Sequence, residues 1–90
     1  MIECTVLVEN KLGIHARPAA LLVQEAARFQ AEIFLSKGDV KRINAKSIMG
    51  VMMLAAEQGA EITVETDGKD QQEALDALTR LIGTDFEEQV

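Results

Sequence analysis

The sequence predicts an α+β fold: an open-faced β-sandwich with four short strands in one sheet and helices on one of its faces. Three observations carry this. Apolar residues alternate with a period of two in four separate runs, at positions 2–8, 31–35, 40–43 and 60–66. Between and after these runs the apolar spacing changes to that of a helix face, at positions 19–29, 48–55 and 70–82. The second and third strand runs flank the turn residues Gly38-Asp39, which makes them a hairpin. The order is βαββαβα, and helices packed on one face of such a sheet leave its other face open.

Each element follows from its residues. In the first run Ile2, Cys4, Val6 and Val8 share one face, and Glu3, Thr5 and Leu7 share the other. Cys4 is expected to be a small core residue. Asn10-Lys11-Leu12-Gly13 has turn chemistry. From His15 onward, Ala19, Leu22, Val23, Ala26 and Phe29 form a helical stripe, while Gln24, Glu25 and Arg28 fall off it. Pro18 lies within the first turn, where a missing N–H breaks no helical bond, so this helix starts at or just after His15.

Ala31, Ile33 and Leu35 share one side of the next strand. Ser47 is placed to cap a short helix, which Gly50 weakens by about 1 kcal/mol relative to alanine. Val51 and Leu54 are its core-facing residues, with Ile48, Met49 and Met52 facing outward, and Gln58-Gly59 is expected to end it. Ile62 and Val64 point inward from the fourth strand, and Asp67-Gly68 is a turn. Ala74, Leu75, Leu78, Leu81 and Ile82 give the last helix its apolar stripe, and Asp70 with Glu73 resembles a capping box. The acidic tail Asp85-Phe86-Glu87-Glu88 is expected to fray.

Composition narrows the function. Ninety residues are expected to form one domain, 1–90. The net charge of −6 and the absence of Trp and Tyr argue against nucleic acid, which needs cationic side chains and stacking platforms. One cysteine allows no internal disulfide, and one Cys with one His falls short of a structural zinc site. No metal or organic cofactor is expected. With no signal peptide and no apolar run of about 18 residues, the chain is expected to be cytoplasmic and not inserted in a membrane. Its length and small apolar patch favour a monomer.

The chemistry concentrates in Gly13-Ile14-His15-Ala16-Arg17-Pro18-Ala19-Ala20, which holds the only histidine and the only proline of the chain. A helix N-terminus offers unpaired N–H groups and positive potential. That potential disfavours imidazolium and leaves the neutral ring, which is the nucleophile; Arg17 acts in the same direction. Once the ring carries a phosphoryl group, the same N–H groups and the guanidinium receive an anion. Both states are accommodated, which suits reversible transfer. Read from spacing alone, His15, Arg17 and Ser47 fit ordinary capping and surface roles as well.

The stretch Leu12-Gly13-Ile14-His15-Ala16-Arg17-Pro18-Ala19-Ala20 closely resembles the active-centre motif of the HPr family, the histidine-containing phosphocarriers of the bacterial sugar phosphotransferase system. A second stretch, Asn44-Ala45-Lys46-Ser47-Ile48-Met49-Gly50-Val51-Met52, resembles that family's regulatory serine motif. The resemblance runs nearly end to end. It implies an antiparallel sheet ordered 1-4-2-3 with three helices. It implies that His15 carries the phosphoryl group at Nδ1, taking it from enzyme I and passing it to enzyme II A domains. Arg17 would steady the group, and Ser47 would be the target of an HPr kinase/phosphorylase and, once phosphorylated, act with a catabolite-control transcription factor. Ala16, Ala20, Ile48, Met49 and Met52 would form the partner-docking face, flexible thioethers suiting several unrelated partners.

The chain departs from the commonest family pattern in three places. Ala16 stands where many members have threonine, the hairpin is one residue longer than in some members, and Gly50 replaces a basic residue of one subgroup. Such a protein is a phosphoryl-carrier intermediate rather than a stand-alone enzyme. The alternatives are a nitrogen-related paralogue in a regulatory relay, a mainly regulatory protein acting through phospho-Ser47, and a small binding module without phosphotransfer.

Overall fold

The computed structural model describes residues 1–11 and 13–84. Leu12 and the acidic stretch Asp85-Phe86-Glu87-Glu88 lie outside the described residues. Among those described, the elements are β1 (Ile2–Leu7), α1 (Ala16–Ala26), β2 (Glu32–Lys37), β3 (Val40–Asn44), α2 (Ile48–Met53), β4 (Glu61–Asp67) and α3 (Gln71–Ile82). The four strands form one antiparallel sheet in the order β1-β4-β2-β3, as the family resemblance implies.

The core lies between the sheet and the helices. Ile33 and Leu35 of β2 and Ile62 and Val64 of β4 are fully buried, which is the inward set of the alternating patterns. Leu22 and Ala26 of α1, Val51 of α2, and Leu78 and Ile82 of α3 close over them. Apolar burial of this kind is the main favourable contribution, about 25 cal/mol per Å² removed from water. The opposite sheet face is polar. The Thr5 and Thr63 hydroxyls lie 3.1 Å apart across the β1–β4 pair. The Arg42 guanidinium lies over the Phe34 ring, 4.2 Å from its centroid, and donates to Glu65 at 2.7 Å. Arg42 has φ +52, and its N–H donates to the Ser36 hydroxyl where the β2–β3 pairing slips into a bulge.

Three local expectations are corrected. Cys4 is exposed rather than part of the core. It lies opposite the buried Val64, on the helix-covered side, but β1 is an edge strand and the side chain is short. α2 ends at Met53, well before Gln58-Gly59. The chain leaves it through Ala55, whose φ of +49 is a left-handed conformation that ends a helix and costs a non-glycine residue about 1 kcal/mol. Asp70 does occupy the N-cap position of α3, but its side chain makes no capping bond there. Its carboxylate accepts the backbone N–H groups of Gln30 and Ala31 at 2.9 and 2.8 Å, pinning the segment that leads into β2 to the start of α3.

Candidate functional site

His15 is the N-cap residue of α1, with extended backbone (φ −96, ψ −161) and an exposed ring that makes no capping bond. The imidazole is therefore uncommitted to the helix it precedes. The His15 carbonyl accepts the first helical bond, from Ala19 N–H at 2.9 Å. Ahead of that bond lie the first-turn N–H groups of Ala16 and Arg17, Pro18 having none to offer. The first turn contains no acidic residue, so no carboxylate competes with an incoming anion for its N–H groups. Arg17 is exposed, and so is Ala16; Ala20, one turn on, is half-buried.

The loop before His15 is held from below. Asn10 is almost completely buried, and its side-chain amide donates to the Gly13 carbonyl at 2.6 Å while Gly13 N–H donates to the Asn10 carbonyl at 2.9 Å. Ile14, also buried, donates its N–H to the Ala56 carbonyl at 2.8 Å. Val8 and Gly59 extend the same link: Val8 N–H donates to Ala60 O, and Gly59 N–H to Val8 O, both at 2.9 Å. The segment after α2 therefore braces the segment before α1.

Gly13 makes this approach possible. Its φ is +74, and a Cβ there would strike the Ala56 carbonyl oxygen and lie 2.9 Å from the Glu57 Cα. Spacing had marked Asn10 and Gly13 only as turn residues, and nothing local marked Ala56. The one available signal was an asparagine three positions before a glycine, a pattern that fits a side-chain-to-backbone bond.

Ser47 is the N-cap of α2, as its position predicts. Its hydroxyl accepts the Gly50 N–H at 3.1 Å. Next to it, the Lys46 ammonium donates to the Phe29 carbonyl at 2.8 Å, just beyond α1. α2 is thus tied at its start to the end of α1, and past its own end, through Ala56, to the loop before α1. Val51 and Leu54 are buried, while Ile48, Met49, Met52 and Met53 are exposed. The outward set named from sequence is outward, and Met53 joins it. Gly50 sits against the hairpin: a Cβ there would lie 2.7 Å from Ile43 Cγ2.

Among the described residues no helix is long and apolar enough to cross a membrane. What the fold and site define together is an α+β domain that displays its one histidine at a helix start and carries a second helix with an exposed apolar face. Comparison with known proteins supplies the class. A family model described as "PTS HPr component phosphorylation site" matches residues 2–84. The chain is similar to the phosphocarrier protein HPr of Treponema pallidum, with 51% identity over 89 residues, 99% of this chain and 100% of that one. It is also similar to the HPr-like protein Crh of Halalkalibacterium halodurans, with 56% identity over 82 residues, 91% of this chain and 96% of that one. Among solved structures, an HPr from Thermoanaerobacter tengcongensis superposes with a TM-score of 0.89 at 46% identity, covering all of both chains. A dimer of HPr from that organism has also been solved. The chain belongs to the HPr family of phosphotransferase-system phosphocarriers.

Proposed function

We propose that this protein, as a single domain over residues 1–90, carries a phosphoryl group on His15 between phospho-enzyme I and enzyme II A domains. The observation that carries the reading is the His15 ring itself: exposed, at a helix N-terminus, and free of any capping bond. In the transfer, a ring nitrogen (Nδ1 by family resemblance) attacks phosphorus as the bond between phosphorus and the donor group on enzyme I breaks. The phosphoryl oxygens then meet the first-turn N–H groups and the Arg17 guanidinium. The second transfer reverses these roles, and the protein needs no cofactor of its own. Ala16 and Ala20 on α1 and Ile48, Met49 and Met52 on α2 form the surface that partners contact.

Ser47 is the regulatory position in this reading. Its hydroxyl already faces the start of α2, where a phosphoserine dianion is well tolerated. The added charge then stands on the docking face and opposes acidic partners that meet Arg17. A kinase/phosphorylase would add and remove it.

A second reading has support in the 56% identity to an HPr-like Crh protein: a mainly regulatory protein acting through phospho-Ser47 and a catabolite-control transcription factor. His15 favours the carrier, since that regulatory branch of the family lacks the histidine. A nitrogen-related relay would use the same chemistry with other partners.

The test is incubation with phosphoenolpyruvate and enzyme I. The expected product is an acid-labile, base-stable phosphoryl adduct that His15→Ala does not form. An adduct on any other residue, or none, overturns the carrier reading. Parallel incubation with ATP and a family kinase reads Ser47 as an acid-stable phosphate.

A further inference from the structure

We propose that Met49, Met52 and Met53 make α2 a reversible oxidation site, at which hydroperoxides convert thioethers to sulfoxides and so weaken partner docking. The inference rests on the docking role given to α2 above. Three of the chain's four methionines stand within five positions. Met49 is 73% exposed, Met53 67% and Met52 43%. Their spacing of i, i+3 and i+4 puts them side by side on one helix surface.

The chemistry is simple and balanced. A sulfur lone pair attacks one peroxide oxygen, the S–O bond forms and the O–O bond breaks. The departing oxygen takes the proton from the oxygen now on sulfur and leaves as water from hydrogen peroxide, or as the alcohol from an organic hydroperoxide. Sulfur is oxidised by two electrons and the peroxide is reduced by two. The reverse step is that of a thiol-dependent sulfoxide reductase, which removes the oxygen as water while two thiols become a disulfide. An exposed thioether needs no opening of the fold to react.

The consequence follows from what holds α2 in place. Val51 and Leu54 anchor it and are fully buried, and Ser47 caps it. None of these groups is oxidised, so the helix persists. Its outer surface, however, changes from adaptable apolar thioethers to polar, chiral sulfoxides. A partner that buries this surface must then desolvate up to three strong acceptors without matching donors.

Two other exposed sulfurs provide the contrast. Met1 and Cys4 lie at β1, on the sheet edge opposite β3, against which α2 packs. Their oxidation would leave the α2 surface untouched.

The experiment uses the full chain carrying Cys4→Ser. Hydrogen peroxide is applied, oxygen incorporation is mapped by peptide mass, and the rate of phosphoryl uptake from phospho-enzyme I is measured before and after. Uptake is expected to fall about five-fold or more, with the thermal midpoint held within a few degrees, and to return after reductase treatment. A Met49→Leu/Met52→Leu/Met53→Leu variant in the same background retains Met1. Its ratio of oxidised to unoxidised rate, taken against its own baseline, is expected to be near one. Undiminished uptake with sulfoxides mapped to α2 overturns the inference. So does an equal loss in the leucine variant, or an absence of α2 sulfoxides under conditions that oxidise free methionine. If the unoxidised protein takes up no phosphoryl group, it is the carrier reading that fails.

Discussion

Ile14 donates its N–H to the Ala56 carbonyl at 2.8 Å, and this bond fastens the residue before His15 to the segment that follows α2. The two residues are distant in sequence and both are buried. A shielded backbone bond of this kind contributes about 1 kcal/mol net, and leaving its partners unmatched costs more. Its larger effect is geometric. It sets where the chain enters α1, and with it where the imidazole stands.

Gly13 is the position at which this arrangement is most easily broken. In Gly13→Ala the new Cβ would press on the Ala56 carbonyl and the Glu57 backbone in a left-handed conformation. The expected cost is about 2–4 kcal/mol in denaturant unfolding, from backbone strain and a displaced buried bond. Phosphoryl uptake is expected to fall about ten-fold or more in protein that is still folded. Wild-type uptake at wild-type stability would show that the Ala56 contact does not govern the His15 position.

Met49 is the most exposed residue of the α2 surface. Met49→Glu should leave stability within about 0.5 kcal/mol of the parent, as for surface changes generally. Affinity for enzyme I, read by titration calorimetry, should drop. If affinity and transfer rate both hold, α2 is not part of the docking face.

Ser47 separates capping from charge. Ser47→Ala removes the acceptor for the Gly50 N–H and should cost about 1 kcal/mol. Ser47→Asp keeps an acceptor at a helix start and should unfold close to wild type. It should nevertheless slow phosphoryl uptake, with a deficit that shrinks as salt screens the added charge. A salt-independent deficit would point to a steric cause instead.

Asp70 predicts a pH dependence. The Gln30 N–H, joined by those of Ala31 and Asp70 itself and by the charge of Lys46, holds its carboxyl below the ordinary value, against partial desolvation. Folding therefore favours the ionised form. The resulting stability is fully present above the unfolded-state value and is lost as the pH falls through the folded one. Thermal midpoints of the wild type and Asp70→Asn should differ most near neutral pH and converge on acidification. A gap that stays constant with pH would assign the effect to shape rather than charge.

Much of the site was legible in the chain because its signals are local. The switch from a period of two to a helical period places His15 at a helix start. Ser47 caps α2 three residues ahead of the N–H it binds, and Val51 and Leu54 separate from Met49 and Met52 by spacing alone. Each of these depends on neighbours within about four residues, the range over which a helix or strand reads its own sequence.

Other features depend on residues brought together from far along the chain. The alternating pattern put Cys4 in the core, because periodicity reports a face and not whether the strand lies at an edge. Asp70 looked like a capping residue, yet its oxygens turn to Gln30 and Ala31. Gly50 read as a weak point in a helix, yet the nearness of Ile43 leaves no room for a Cβ. The sheet order came from the family resemblance rather than from any spacing. Periodicity and caps alone yield the elements, their inward faces and a histidine at a helix N-terminus. The brace beneath that histidine is a tertiary matter, because the Ala56 carbonyl can meet the Ile14 amide only once α2 has packed beside α1.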